Sequence, residues 1–151
     1  MVMYKNIVLA YDGSEPGQRA LIDCKELAHW NHAELRLLAV MPSSLSVADS
    51  EGSIFVPEYK QREVARYRAV LDDGLRQLAE FGFTVSGEVL VGEPVQQITH
   101  YARTHGANLI VVGHKHLDSW AARWWSGAIS GDLIEHAHCS VMCVIAHERS
   151  H

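Results

Sequence analysis

Two short apolar runs end in residues that could do chemistry. Asn6 to Tyr11 ends at Asp12-Gly13-Ser14, and Asn108 to Val112 ends at Gly113-His114-Lys115-His116. A carboxylate at the end of a buried strand can accept a hydrogen bond from a ribose hydroxyl or bind Mg²⁺. An aspartate in Asp-Gly-Ser can equally do no more than hold its own turn. Gly113 lets a backbone approach a phosphate closely. Gly127 and Ala128 open a helical stretch whose free N–H groups favour an anion. Against this, both glycines can serve only to make turns, and glycine spacing alone does not decide.

Other constellations weigh less. The chain holds 10 histidines. His136, His138 and Cys139 form a tempting metal group, but i, i+2 spacing across a helix-to-strand turn does not converge side chains, and no H-x3-H pair falls in a stretch that reads as helix. No metal site is expected. Trp120, Trp124 and Trp125 lie in one segment with Arg123, and Lys115 lies just before it. Tryptophans can stack on bases, but packing onto the helix below is the simpler account. There is no G-x-S-x-G elbow and no Walker A lysine, so no catalytic residues are assigned.

The elements that must position these residues alternate. Asn6 to Tyr11 reads as a strand buried on both faces. Ser14 is an N-cap, followed by a helix with Ala20, Leu21, Cys24, Leu27 and Ala28 inward, ending at Asn31-His32. Glu34 to Met41 is a second strand, closed by Pro42. Ser43 to Pro57 reads as a mobile surface loop. From Glu58 to Phe81 the apolar stripe Val64, Tyr67, Leu71, Leu75, Leu78 marks a helix capped at Gly82. Thr84 to Val91 is a third strand. Gly92-Glu93-Pro94 starts a helix with Val95, Ile98, Tyr101 and Ala102 inward, and Gly106 ends it. Asn108 to Val112 is a fourth strand ending at Gly113. His114 to Ser126 reads as a loop. Gly127 to His136 is a helix with Leu133, Ile134 and Ala137 inward, and Ser140 to Ala146 is the last strand.

Strands alternating with helices imply a parallel sheet covered on both faces, and right-handed crossovers restrict it to a doubly wound arrangement. In such sheets ligands bind beyond the carboxyl ends of the strands, where the strand order reverses. With the order 3-2-1-4-5, the reversal lies between the first and fourth strands, which places Asp12 beside Gly113.

Bulk properties bound the function. With 151 residues the chain is one domain, 1–151, and its 48% hydrophobic and 21% charged residues are ordinary globular composition. A formal net charge of −5 argues against general nucleic-acid or anionic-membrane binding. The three cysteines, Cys24, Cys139 and Cys143, form no disulfide framework or C-x-x-C motif. Reduced thiols, with no apolar run long enough for a signal or a membrane span, predict a cytoplasmic protein.

Across essentially its whole length the pattern resembles the universal stress protein family. The resemblance rests on Ile7-Val8-Leu9-Ala10-Tyr11-Asp12-Gly13-Ser14, Val91-Gly92-Glu93-Pro94, Asn108-Leu109-Ile110-Val111-Val112-Gly113 and Leu133 to Val141 in this order. It implies a Rossmann-like fold of the adenine nucleotide alpha hydrolase-like type, five parallel strands ordered 3-2-1-4-5. It also implies a stress-response module binding ATP, with Mg²⁺, in a pocket of Tyr11, Asp12, Val40, Gly113, His116, Gly127 and Ala128, with at most slow hydrolysis. Nucleotide-binding members carry G-x2-G-x9-G-[S/T] after the fourth strand. Here Gly113 matches the first glycine, His116 replaces the second, and ten residues separate His116 from Gly127, with Ala128 in place of Ser or Thr; the register that keeps nine residues puts Ser126 in the glycine position and Gly127 after it. His116 either blocks the phosphate approach or donates to it. Family members commonly dimerise through the last strand, which implies a homodimer with Val141, Cys143 and Ile145 near the axis. The altered motif keeps open a second reading, a dimeric interaction or regulatory protein that binds no nucleotide.

Overall fold

A computed structural model describes residues 4–42, 56–83, 85–115 and 127–146. Five strands and four helices alternate: β1 (Asn6–Ala10), α1 (Glu15–Asn31), β2 (Glu34–Met41), α2 (Val56–Glu80), β3 (Ser86–Val91), α3 (Pro94–Thr104), β4 (Leu109–Lys115), α4 (Gly127–His136) and β5 (Ser140–Ala146). All pairings are parallel and the order is β3-β2-β1-β4-β5, as expected for the doubly wound fold.

The sheet separates two cores. Ile7, Leu9 and Tyr11 point to one face and pack with α1 and α2, beside Leu35, Leu37, Leu71 and Leu78. Val8 and Ala10 point to the other, with Val40, Ile98, Tyr101, Ile110 and Leu133 beneath α3 and α4. Alternate side chains of a strand project to opposite faces. A continuous apolar run therefore satisfies both layers, and full burial of a Leu or Ile contributes about 1.5–3 kcal/mol. The stripe Val95, Ile98, Tyr101, Ala102 is buried as its spacing predicts.

Several boundaries differ from the sequence reading. β4 does not end at Gly113 but runs on through His114 to Lys115, because β5 continues beside it and pairs His114 with Ile145 and Lys115 with Ala146. α2 begins at Val56, so Val56 and Pro57 belong to a helix whose first turn tolerates proline; residues 43–55 of the expected loop lie outside the described residues. β3 starts at Ser86 rather than Thr84. Ile134 does not face inward. It is 63% exposed, while Leu133 is fully buried and Ala137, one turn on, packs on the same core.

The helix ends follow local chemistry. The Ser14 hydroxyl accepts from Gly17 N–H at 3.2 Å and caps α1. The Glu93 carboxylate accepts from Val95 N–H and Gln96 N–H and caps α3. His32, with φ 51°, closes α1 in the left-handed conformation that glycine takes at other helix ends. Cys24 is buried in α1, and burial pushes its thiol up to about 12, as befits a core residue.

Gly74, in mid-α2, is where that helix meets the sheet. A Cβ there would stand 2.8 Å from Leu37 Cδ2 and 2.8 Å from Tyr11 Cε2, both on buried side chains. Alanine in a helix interior gains about 1 kcal/mol over glycine, but overpacking a filled core costs about 1–3 kcal/mol. Gly74→Ala is therefore expected to lower stability by up to about 2 kcal/mol. Denaturant unfolding showing a more stable variant would mean that α2 does not sit this close.

Candidate functional site

β1 is shorter than its neighbours, and this makes a notch in the sheet. Its last strand residue, Ala10, pairs with Leu38 of β2 and Val112 of β4. β2 continues to Met41 and β4 to Lys115. The last β1-to-β2 link is Tyr11 N–H to the Leu38 carbonyl at 2.8 Å. In a parallel strand, backbone groups two residues apart point to the same side. Met41 turns its carbonyl to β3, accepting from Gly92 N–H at 3.0 Å. The N–H and C=O of Val40 therefore face the space that β1 has left. The β1-facing edge of β4 beyond Val112 closes the opposite side.

The chain leaving β1 forms the floor of this notch. Asp12 Oδ1 accepts from both Ser14 N–H, at 3.0 Å, and the Ser14 hydroxyl. Gly13 has φ 77°, a conformation glycine adopts without strain, and a Cβ there would approach Val70 Cγ1 of α2 at 3.0 Å. Gly17 is needed for a different reason: a Cβ would stand 2.6 Å from Asp12 Oδ1. One carboxylate oxygen of Asp12 thus holds the turn, and the other makes no hydrogen bond among the described residues. The turn-holding reading of Asp12 is the one these bonds show.

Tyr11 and Val40 do not bring their side chains together. Tyr11 belongs to the core under α1 and α2, and Val40 to the core under α3 and α4. The Tyr11 ring fits against Gly17 of α1 and Gly74 of α2 and is only 1% exposed. Its hydroxyl is enclosed and makes no hydrogen bond among the described residues. Burial pushes the phenol up, Asp73 and Asp12 add to this, and the Gln77 and Gln18 side chains oppose it. Tyr67, half-buried on the same side of α2, is raised chiefly by burial, with Arg66 opposing and Glu63 and Asp12 adding. Gly113 lies in β4 opposite Val144, and Gly127 and Ala128 form the start of α4. His116, Trp120, Arg123, Trp124 and Trp125 lie outside the described residues. Among the described residues no three His, Cys, Asp or Glu side chains gather to hold a metal ion.

Sequence reasoning chose Val40 without seeing that its backbone is the part facing the notch. It also passed over Gly17, Val70 and Gly74. An isolated glycine inside the α2 stripe was the available signal, since such a residue commonly marks close packing.

A model of the universal stress protein family matches residues 3–144. The chain belongs to the universal stress protein family. YxiE, a universal stress protein of Bacillus subtilis, is 28% identical over 148 residues, covering 94% of this chain and 99% of YxiE. The solved structure of the hypothetical protein MJ0577 superposes with a TM-score of 0.78 at 23% identity, covering 96% of this chain and 98% of that one. The Archaeoglobus fulgidus universal stress protein in complex with dAMP gives 0.68 at 20% identity, over 95% and 99% of the two chains. An Arabidopsis thaliana family protein with AMP bound gives 0.69 at 18% identity, over 95% and 93%. These likenesses establish that the fold is that of universal stress proteins. No helix among the described residues is long and apolar enough to cross a membrane.

The enclosed hydroxyl of Tyr11 generates a prediction. A buried polar group without a partner costs about 1–3 kcal/mol, and replacing it with an apolar isostere removes that cost. Tyr11→Phe should leave the ligand-free protein as stable or raise its stability by about 1 kcal/mol. A loss of stability in denaturant unfolding would show instead that the hydroxyl is held by Gln77 or Gln18.

Proposed function

We propose that this universal stress protein binds an adenine nucleotide, ATP with Mg²⁺, in the notch beyond β1. The observation that carries this is the Val40 backbone facing the notch, with no backbone partner among the described residues, together with the Asp12 oxygen that makes no hydrogen bond among them. Adenine presents one acceptor, N1, and one donor, the N6 amine, on the same edge. A strand N–H and C=O without a backbone partner can pair with such an edge. The free Asp12 oxygen accepts from a ribose hydroxyl, as a carboxylate does in other doubly wound nucleotide sites. Gly113 and the N–H groups of Gly127 and Ala128 at the start of α4 then serve the phosphates, with His116 donating from the glycine position it replaces. Tyr11 supports the floor from below. Mg²⁺ would neutralise phosphate charge.

The dAMP and AMP complexes of family proteins with this fold support the reading. The role is binding, with at most slow hydrolysis, since no nucleophile and base are paired among the residues assigned to the notch. The cytoplasm is the expected compartment.

Titration calorimetry with ATP and Mg²⁺ tests it. Binding is expected, and Asp12→Asn, which keeps the turn-holding oxygen, should weaken it about tenfold. His116→Gly should weaken binding or leave it unchanged; stronger binding would show that His116 closes the pocket. Absence of both heat and thermal shift at millimolar nucleotide would sink the proposal and favour a dimeric regulatory protein without nucleotide.

We also propose a twofold homodimer through β5. This strand is the sheet edge next to β4, and exposed edges invite pairing. Val141 and Cys143 are half-buried, and Ile145 is 44% exposed. Ile145→Lys should convert a dimer to a monomer in sedimentation experiments while the thermal unfolding of the monomer stays cooperative. A wild-type chain that sediments as a monomer would end this proposal.

A further inference from the structure

All strands are parallel, so the end of α1 and the connection from α2 to β3 lie together at the amino-terminal end of the sheet, opposite the notch. There Lys25, Glu26, His29, Trp30, Phe81 and Phe83 line a groove of about 530 Å³, within the range of small-molecule sites. Trp30 is 82% exposed and Phe81 is 56% exposed, while Phe83 packs against the core below. Large aromatic surface left in water is unfavourable and marks binding surfaces. The Lys25 ammonium stands 3.3 Å from the centroid of the Phe81 ring. Among the described residues it has no carboxylate partner. His29 meets the Trp30 indole edge-on, at 6.3 Å between ring centroids.

We propose that this groove binds a small planar aromatic monocarboxylate. The ring system would lie against Trp30 and the phenylalanines, and the carboxylate would meet Lys25. Each alternative class meets a specific obstacle. A cationic ligand would be repelled by Lys25, which already occupies the face of Phe81 that would otherwise attract it. A neutral aromatic would cover the lysine without giving it a counter-charge, which costs desolvation free energy. A nucleotide di- or triphosphate would bring several negative charges against the Glu26 carboxylate. One negative charge on a flat ring satisfies Lys25 and leaves Glu26 solvated at the edge. The proposal is independent of nucleotide binding, because none of the groove residues belongs to the notch.

The test uses the full chain and two probes, 2-naphthoate and the neutral 2-naphthylmethanol, followed by assigned amide and indole NMR shifts. Naphthoate is expected to shift Lys25, Glu26, His29, Trp30, Phe81 and Phe83, with and without saturating ATP. The alcohol should bind about tenfold more weakly, and Lys25→Gln should weaken naphthoate by a similar factor without affecting the alcohol. Trp30→Ala should abolish both; the high exposure of Trp30 makes it dispensable for folding. The proposal is overturned by any of three results: no groove shifts at millimolar naphthoate, equal binding of acid and alcohol, or shifts confined to residues of the notch.

Discussion

The early stop of β1 is the constraint on which the site depends. β1 is central, with β2 and β4 on its two edges and a helical layer on each face. A central parallel strand has no free hydrogen-bonding edge along its length, so ligands meet backbone only where it ends. β1 ends at Ala10, while β2 runs to Met41 and β4 to Lys115. The unpaired edges of the longer strands become the walls of the notch. Asp12-Gly13-Ser14 becomes its floor, because a chain turning into α1 on one face has nowhere else to go. At the other end of β1, Asn6 N–H donates to Asn108 Oδ1 at 3.1 Å and the Asn6 amide donates to the His105 carbonyl at 2.7 Å. These bonds tie β1 to the start of β4 and hold the two strands in the register that aligns their far ends.

Helix α2 then makes the floor rigid. Val70 covers Gly13, Gly74 lets the helix settle on Tyr11, and the Asp12 charge reaches Tyr67. Three positions of one helix thus bear on three successive parts of the β1 exit. Small residues are required on the sheet side of this contact and again at Gly17, where a side chain would strike the carboxylate that holds the turn. Close packing of this kind leaves little freedom to reshape the loop.

The two ends of the sheet offer different chemistry. The notch presents backbone polarity and a carboxylate, suited to the hydrogen-bonding edge of a base and a sugar. The groove at the opposite end presents exposed rings and a cation without a carboxylate partner among the described residues, suited to an apolar anion. No residue is shared, so occupation of one does not exclude the other.

The parallel doubly wound fold was readable from the chain because it rests on local patterns. Apolar runs bounded by turns, the inward stripe of Val95, Ile98, Tyr101 and Ala102, and the cap at Ser14 all act within a few residues. The position of Asp12 just beyond the end of β1 was readable for the same reason, whereas Gly113 lies inside β4 and not at its end. Where elements end against one another was not readable. β4 extends to Lys115 because β5 is there to pair with it, and Ile134 points outward because the neighbouring Leu133 already fills the core side. The sequence named Tyr11 and Val40 together, but only the sheet, whose alternate side chains go to opposite faces, decided that one contributes a buried prop and the other its backbone. Those outcomes depend on strand length and helix seating, which arise from contacts far apart in the chain. Local residue pattern carries no record of them.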